Sequence, residues 1–296
     1  MGQDLSYNRT VKTKNQAIFY REGNNMAFKI GFNTADCCEK KTPEIGSHVP
    51  ETQVASRKSV VRVYFAARNM TLTYYNDQFD LHCGDLVYVD GKLAGLRGRV
   101  IEVNYNFKIK IADYKRVICM VDTTVHGRFF IAGSHFVTFD RETLPRSKVL
   151  TWYNAPATDD EFICGSDNTS FPLNDLSGMG ASSEIGTRGY ELYNCNKVKY
   201  LCVDGTKGYA IVEGSKFYEV EFKYCDGEIS RLTCSCFCSG CCKHEVAAML
   251  QLRETLELIE KHYSDEWHRN DYFAAVLKGD LFAYAVDARA TGKFTL

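Results

Sequence analysis

Proline is scarce in this chain, with 5 among 296 residues, and charge of one sign is not in excess, because the formal net charge is −1. The near-zero charge excludes nucleic-acid binding through overall charge, so any such binding needs a local basic surface. The chain has no apolar stretch of the roughly 18 residues that a membrane helix requires. No apolar signal segment opens it either. The sequence therefore predicts a soluble protein of the reducing cytoplasm.

Aromatic residues, by contrast, are abundant, with 18 Tyr and 18 Phe, and hydrophobic residues make up 45% of the chain. This composition allows a sizeable core and favours β-structure, because aromatic side chains fit pleated sheets. The length predicts about two domains. We expect an α+β fold that is mostly antiparallel β, with a small β-barrel domain and a second domain built from a β-meander, a zinc site and a helix.

Changes of pattern along the chain divide it into five segments. Residues 1–58 are a polar leader and linker with one short strand near 26–32, and 59–148 form the barrel-like domain. An irregular connection follows at 149–189, the zinc-site domain spans 190–265, and 266–296 form an aromatic tail that packs back on a domain.

The barrel-like segment is predicted from short apolar or alternating runs about ten residues apart, which are typical of small barrels and sandwiches. The predicted strands cover 60–65, 70–75, 84–91, 96–103, 107–111, 117–121 and 129–132. Within this segment, Gly84-Asp-Leu-Val-Tyr-Val and Gly98-Arg-Val-Ile-Glu-Val weakly resemble the strand pair of KOW-like small barrels.

The same segment is locally basic between residues 92 and 116, where only Glu102 and Asp113 oppose seven cations. Tyr105, Phe107 and Tyr114 are interleaved with them. Such a pattern suits phosphate contacts combined with base stacking, although an outward face that is merely solvated gives the same pattern. The candidate nucleic-acid-binding residues here are Lys92, Arg97, Arg99, Lys108, Lys110, Lys115 and Arg116.

A β-meander is predicted in the C-terminal half. Runs at 198–203, 208–214, 217–224 and 229–233 read as strands, with Asp-Gly turns at 204–205 and 226–227. An amphipathic helix is predicted from about residue 244 to about 262.

Between the last strand and this helix lie five cysteines and one histidine within eleven residues, from Cys234 to His244. Cys234 and Cys236 form a C-x-C pair, which places two thiolates on the same side of an extended strand. Cys242 and His244 form a C-x-H pair at the helix start. Four Cys and His ligands in tetrahedral geometry are the preference of structural zinc.

This arrangement resembles the SWIM zinc finger, in which a C-x-C pair, a variable gap and a C-x-H pair join a β-meander to a helix. The resemblance covers about residues 190–262 and implies a structural Zn²⁺ held by the four residues just named. Cys238 and Cys241 lie in the gap, where they are spare thiols, substitutes for one ligand, or part of a second metal site or redox pair. Lys243, between two ligands, is a further candidate phosphate contact.

No catalytic residues are predicted. The chain lacks the H-E-x-x-H, P-loop and G-x-S-x-G motifs. The leading hypothesis is a non-catalytic accessory protein that binds nucleic acid, with DNA favoured over RNA, through the basic barrel face and the zinc finger. The alternatives are a protein-interaction adaptor within a larger complex and an enzyme of unrecognised type. No membrane partner is expected, and no small-molecule substrate.

Overall fold

The structure, a computed structural model, describes residues 57–156, 169–286 and 294–295. The predicted strand near 26–32, and almost all of the leader, therefore lie outside the described residues.

The described chain is mixed α and β, and nearly all strand pairs are antiparallel. In chain order the strands are β1 (Ser59–Phe65), β2 (Met70–Asn76), β3 (Leu86–Val89), β4 (Gly98–Asn104), β5 (Val117–Met120), β6 (Gly127–Arg128), β7 (Phe130–Ala132), β8 (His135–Thr138), β9 (Ser170–Pro172), β10 (Val198–Asp204), β11 (Lys207–Glu213), β12 (Phe217–Cys225), β13 (Glu228–Cys234), β14 (Tyr272–Leu277) and β15 (Phe294–Thr295). The helices are α1 (Arg146–Tyr153), α2 (Ser183–Asn194), α3 (Lys243–Asn270) and α4 (Lys278–Leu281).

Five strands form a small curled sheet in the order β2-β1-β4-β3-β5. Its inner face is apolar because alternate residues of each strand point inward, as Val61, Val63 and Phe65 of β1 do. The two edge strands meet at a single parallel bridge between Tyr75 and Arg116. Among the described residues, the predicted small barrel is thus a curled sheet joined at one bridge rather than by a closed ladder.

The predicted strand at 107–111 is wrong. This stretch is extended coil leading into a short 3₁₀ turn at Ile111–Asp113. The preceding strand β4 is already paired on both sides, by β1 and β3, so no edge of β4 remains for the stretch to join. Phe107 packs instead on the Tyr75 ring, with the ring centroids 6.2 Å apart.

Eight strands form the second sheet, in the order β7-β8-β14-β10-β11-β12-β13-β9. Helix α3 covers one face, where Ala247, Met249 and Leu252 meet Leu201 and Ala210. Helix α2 packs on α3. Gly189 allows the close approach of these helices, because a Cβ there would lie 2.5 Å from the Val246 side chain.

The opposite face of the second sheet is covered by α1, by α4 and by part of the small sheet. Trp152 and Tyr153 of α1 share one buried cluster with Tyr200 of β10 and with Leu86 and Tyr88 of β3. The two sheets therefore share a core, and α1 fills the space between them.

The segment boundaries predicted from the sequence differ from this arrangement in three places. Strands β7 and β8, read as part of the barrel, pair with the second sheet. The connection predicted as irregular contains most of α1, all of β9 and the first seven residues of α2. The aromatic tail contributes β14, a strand inside the second sheet between β8 and β10. Since β14 is buried on both faces, it lacks the alternation that marks a half-exposed strand.

Among the described residues, no helix combines the length and the apolar character needed to cross a membrane.

Candidate metal centre

Strand β13 ends at Cys234, and Cys236 follows in the turn just beyond it, so the first two cysteines lie at one end of the second sheet. Its pairing with β12 shifts register between Glu221 and Lys223, so β13 contains a bulge. Arg231 lies in this bulge with a φ of 52°. Bulges bend a strand and re-aim the side chains beyond them. Here the residue beyond the bulge is Cys234, which pairs with Val220 as the last residue of the strand.

Strand positions usually tolerate valine better than glycine, and the left-handed backbone at Arg231 predicts the opposite order there. Left-handed φ costs a non-glycine residue about 1–2 kcal/mol, whereas glycine loses only about 0.5–1 kcal/mol through backbone entropy. We expect Arg231→Gly to stabilise the fold by about 0.5–1 kcal/mol and Arg231→Val to destabilise it by about 1 kcal/mol. Urea unfolding midpoints measure both. Lys223, exposed in β12 and without positive φ, is the control, because there valine should be better tolerated than glycine. If valine were also better tolerated than glycine at Arg231, the left-handed bulge conformation at this residue would be contradicted.

Just past β13, Ser235 continues the hydrogen-bonded pairing with β12 for one more residue. Ser235 lies between Cys234 and Cys236, the two cysteines of the C-x-C pair. The Ser235 N–H donates to the Glu219 carbonyl at 2.9 Å, and the Glu219 N–H donates to the Ser235 hydroxyl at 2.9 Å. Ser235 is thereby held against β12, while Cys234 and Cys236 on either side of it turn toward the helix start.

The other two candidate ligands are held by the first turn of α3. Cys242 is the N-cap residue: its thiol accepts a hydrogen bond from the Glu245 N–H at 3.5 Å. In return, the Glu245 carboxylate accepts one from the Cys242 N–H at 2.7 Å. This reciprocal pair is a capping box in which cysteine replaces serine or threonine. Glu245, three positions after Cys242, is a capping-box signal in the sequence that the spacing of the ligands does not reveal.

The structure brings together the four side chains that the spacing predicts. The ligand atoms of Cys234, Cys236, Cys242 and His244 all lie within 4.8 Å of one another. The His244 Nδ1 is 3.8 Å from the Cys234 Sγ and 3.7 Å from the Cys242 Sγ. Sulfur and nitrogen ligands around a tetrahedral zinc are about 3.5–3.8 Å apart, given bond lengths of about 2.3 and 2.0–2.1 Å. The compact Cys₃His cluster could therefore hold a tetrahedral metal ion.

The His244 ring is held in place by packing. It stacks on Tyr218 with ring centroids 4.2 Å apart and an interplanar angle of 24°. Gly214 lies at the edge of this stacked pair, because a Cβ there would be 2.7 Å from the His244 Nε2 and 2.9 Å from the Tyr218 ring. Nε2 is buried, with no hydrogen-bond partner among the described residues. Stacking, rather than a hydrogen bond to the second nitrogen, thus orients Nδ1 toward the thiols.

The acid–base properties of the thiols favour a bound cation. Hydrogen bonds from Cys234 above all, and also from His244 and the Glu245 N–H, lower the pKa of Cys242 to about 4 despite its burial. The same interaction with Cys242 raises the pKa of Cys234, and burial raises the pKa of Cys236 to about 11. One thiolate is thus readily formed, but further thiolates beside it are unfavourable without a positive charge. A divalent ion would supply that charge.

The two spare cysteines lie outside this group. Cys238 is exposed in the loop that follows Cys236. Cys241 is half-buried, and its thiol is directed at the Cys242 carbonyl at 3.9 Å. The structure thus favours the arrangement in which the C-x-C and C-x-H pairs are the ligands and the other two thiols are spare.

The predicted basic face is only partly available for binding. Arg97 points into the junction between the sheets, where it donates to the Trp152 carbonyl and lies 4.4 Å from the Tyr284 ring centroid. Arg116 pairs with Asp77 at 2.6 Å. Arg99 is exposed on β4 and donates to the Gly84 carbonyl at 3.2 Å. Internal contacts therefore account for Arg97 and Arg116, which spacing along the chain could not reveal.

The remaining four candidates in this segment are lysines, which we call the lysine end: Lys92, Lys108, Lys110 and Lys115. All four are exposed, and none forms an ion pair with a carboxylate of the described chain. They lie on the connections from β3 to β4 and from β4 to β5. The Lys115 side chain lies beside Gly91, next to Lys92, and the Tyr75 N–H donates to the Lys115 carbonyl at 2.9 Å.

Two further residues predicted to contact nucleic acid are Lys243 and Tyr105, and both are partly covered. Lys243 is half-buried at the first position of α3. Tyr105 donates to the Leu81 carbonyl and lies under the Arg57 guanidinium, 4.1 Å from its ring centroid. Like Phe107, it packs on the small sheet instead of standing free to stack on a base.

No protein-family model, curated protein or solved structure matches the chain significantly.

Proposed function

We propose that Cys234, Cys236, Cys242 and His244 hold a structural Zn²⁺ ion, in the manner of a SWIM-type finger. The Cys₃His donor set supports zinc, which accepts sulfur and nitrogen ligands in tetrahedral geometry. When bound, the ion would join the end of β13 to the start of α3. All four positions would be filled by protein atoms, so no site remains for a reactive water, and the role is structural rather than hydrolytic.

We further propose that the chain is a non-catalytic nucleic-acid-binding protein whose phosphate contacts come from the lysine end. The observation that carries this proposal is the presence of four exposed lysines without carboxylate partners on adjacent loops of the small sheet. Lysine side chains in such a position displace the condensed counterions of a phosphate backbone, which gives binding without base specificity. Because the net charge of the whole chain is −1, this local surface must supply the attraction.

Replacing Lys108, Lys110 and Lys115 together by glutamine should weaken binding by about 100- to 500-fold at 0.1 M salt. This range follows from the slope of log K against log salt, which is about 0.7 per phosphate for single strands and about 0.9 for duplex DNA. The slope itself should become shallower by about 2–3. Fluorescence anisotropy with short labelled DNA and RNA, each single- and double-stranded, across 50–300 mM salt measures both quantities.

A matched variant replaces by glutamine three exposed lysines of the second sheet and of α3, which are Lys207, Lys223 and Lys261. It removes the same charge from the chain and should leave the salt slope of the wild type unchanged. Equal losses in the two variants would mean that only overall charge matters. Absence of binding to every oligonucleotide at 50 mM salt would rule out the proposal and leave the adaptor function.

A second candidate function, a protein-interaction adaptor, is favoured by Phe237. This side chain is 89% exposed on the loop between the two ligand pairs, and its φ is 58°. Aromatic side chains that anchor protein interfaces are buried only in the complex. The partner would be a protein with an apolar pocket for this ring, and Phe237→Asn, which tolerates the left-handed backbone, would abolish its binding while leaving the metal content unchanged.

A further inference from the structure

The loop from Ser235 to Cys241 holds two thiols that the metal centre does not use. Cys238 is exposed and follows the ligand Cys236 by two residues. The Cys238 thiol and backbone N–H are close polar neighbours of the Cys236 sulfur. A ligand sulfur thus has an accessible thiol beside it, although neither belongs to a disulfide in the structure.

Phe237 between these cysteines sets their spacing. With a φ of 58°, this non-glycine residue occupies the left-handed region. Left-handed helical backbone has the same dimensions as right-handed, so the Cα atoms on either side of such a residue are about 5.4 Å apart. Disulfides join residues whose Cα atoms lie about 4.4–6.8 Å apart. The turn at Phe237 therefore places Cys236 and Cys238 at a separation that a disulfide can bridge without unfolding the loop.

We propose that Cys238 is an oxidation site that pairs with Cys236 in a disulfide and so releases the metal ion. The proposal depends on the metal centre proposed above. The oxidant is a peroxide that reaches Cys238 from solvent. Loss of Cys236 would leave only three protein ligands for the ion, and closed structural sites need four.

The chemistry takes place in two steps. In the first, the Cys238 thiol and hydrogen peroxide give a sulfenic acid and water: the O–O bond breaks, an S–O bond forms, and sulfur is oxidised by two electrons. In the second, the Cys236 sulfur leaves the metal and attacks the sulfenic sulfur, which forms the S–S bond and breaks the S–O bond. The departing hydroxide takes a proton from solvent and becomes a second water molecule.

Burial explains why Cys238 is the entry point rather than another member of the cluster. The Cys242 side chain is almost fully buried, at 3% exposure. Cys241 is half-buried, and its sulfur is directed at the Cys242 carbonyl. Among the five cysteines from Cys234 to Cys242, only Cys238 is exposed.

The test measures metal release from the full-length protein as purified, with a chromogenic zinc chelator in solution and hydrogen peroxide at increasing concentrations. Wild type should lose about one ion for each Cys236–Cys238 disulfide that peptide mass spectrometry detects. Cys238→Ser should contain the same metal before treatment and should release it at least tenfold more slowly. Cys195→Ser, an exposed cysteine at the end of α2, should release it at the wild-type rate.

Equal release rates in Cys238→Ser and wild type would overturn the proposal, and so would a disulfide between Cys238 and Cys241 with the metal retained. A wrong metal assignment gives a different result from a wrong oxidation site. Wild type purified without metal would overturn the proposed metal centre and the release step. The mass spectrum then decides the pairing of Cys236 with Cys238 by itself, because disulfide formation needs no ion.

Discussion

Replacing His244 by alanine should remove the bound metal and lower the free energy of unfolding by roughly 5 kcal/mol. Metal binding at a structural site contributes directly to folding, because the unfolded chain holds no preformed site. The substitution also removes a ring that is 4% exposed and stacks on Tyr218. For a unit of this size, 1 kcal/mol corresponds to about 2–4 °C in melting temperature, so the shift should be about 10–20 °C. Elemental analysis and thermal unfolding measure the two effects, and a strong chelator should reproduce most of the shift in wild type.

The neighbouring cysteine provides the control for this experiment. Cys241→Ser changes a half-buried thiol adjacent to the ligand Cys242 but outside the four-residue cluster. It should retain one metal ion per chain and lose less than about 1 kcal/mol, as serine is nearly isosteric with cysteine. Cys242→Ser should behave like His244→Ala. If Cys241→Ser lost the metal and Cys242→Ser kept it, the ligand set drawn from the geometry would be wrong.

Replacing Trp152 by alanine should cost about 3–5 kcal/mol, the usual range for deleting a large buried aromatic side chain. Trp152 is fully buried in the cluster shared by the two sheets. Its indole N–H donates to the Asp122 carbonyl at 2.7 Å, and its ring stacks on Tyr284 with centroids 5.3 Å apart. Because residues of both sheets pack on this ring, the loss should lower the stability of both. Urea unfolding followed by circular dichroism measures it.

The chain contains only two tryptophans, so each can report on the other's substitution. Trp267→Phe is the matched control: Trp267 is half-buried on α3, packs on Phe273, and lies away from the junction. That variant should lose about 1–2 kcal/mol and leave Trp152, at the junction, as the sole tryptophan. A single transition, seen equally by Trp152 fluorescence and by circular dichroism, is expected from the shared core. A cost below about 1 kcal/mol for Trp152→Ala would mean that the sheets do not depend on this contact.

Local patterns were sufficient for the meander that carries the metal centre. The turn at Asp226 and Gly227 has positive φ at both residues, 50° and 83°, as the Asp-Gly signal for a two-residue hairpin predicts. The helix after the cluster begins one residue before its predicted start. It extends beyond its predicted end because the chain resumes a helical course after one non-helical residue, Tyr263. Such features depend on neighbouring residues, whose spacing is visible in the sequence.

Elements stabilised by distant contacts were missed. The first part of α2 lies in the segment 149–189, which was predicted as an irregular connection, and its glycines are unfavourable in an isolated helix. Packing against Val246 makes Gly189 an advantage there, which depends on a helix more than 50 residues further along the chain. Similarly, Arg97 belongs to a basic run by spacing, yet its guanidinium is used to bridge α1 and Tyr284.

The sequence by itself determined which four side chains form the Cys₃His cluster, because the short C-x-C and C-x-H spacings keep each pair of donors together at the end of a strand and at the start of a helix. It also determined the mostly antiparallel α+β class through strand periodicity and turn residues. Only the tertiary structure decided that the two sheets share a core around Trp152, that the C-terminal run of aromatic residues contributes an inner strand, and which cations stay free. Those outcomes depend on contacts between residues far apart in the chain, where burial and pairing override local preference.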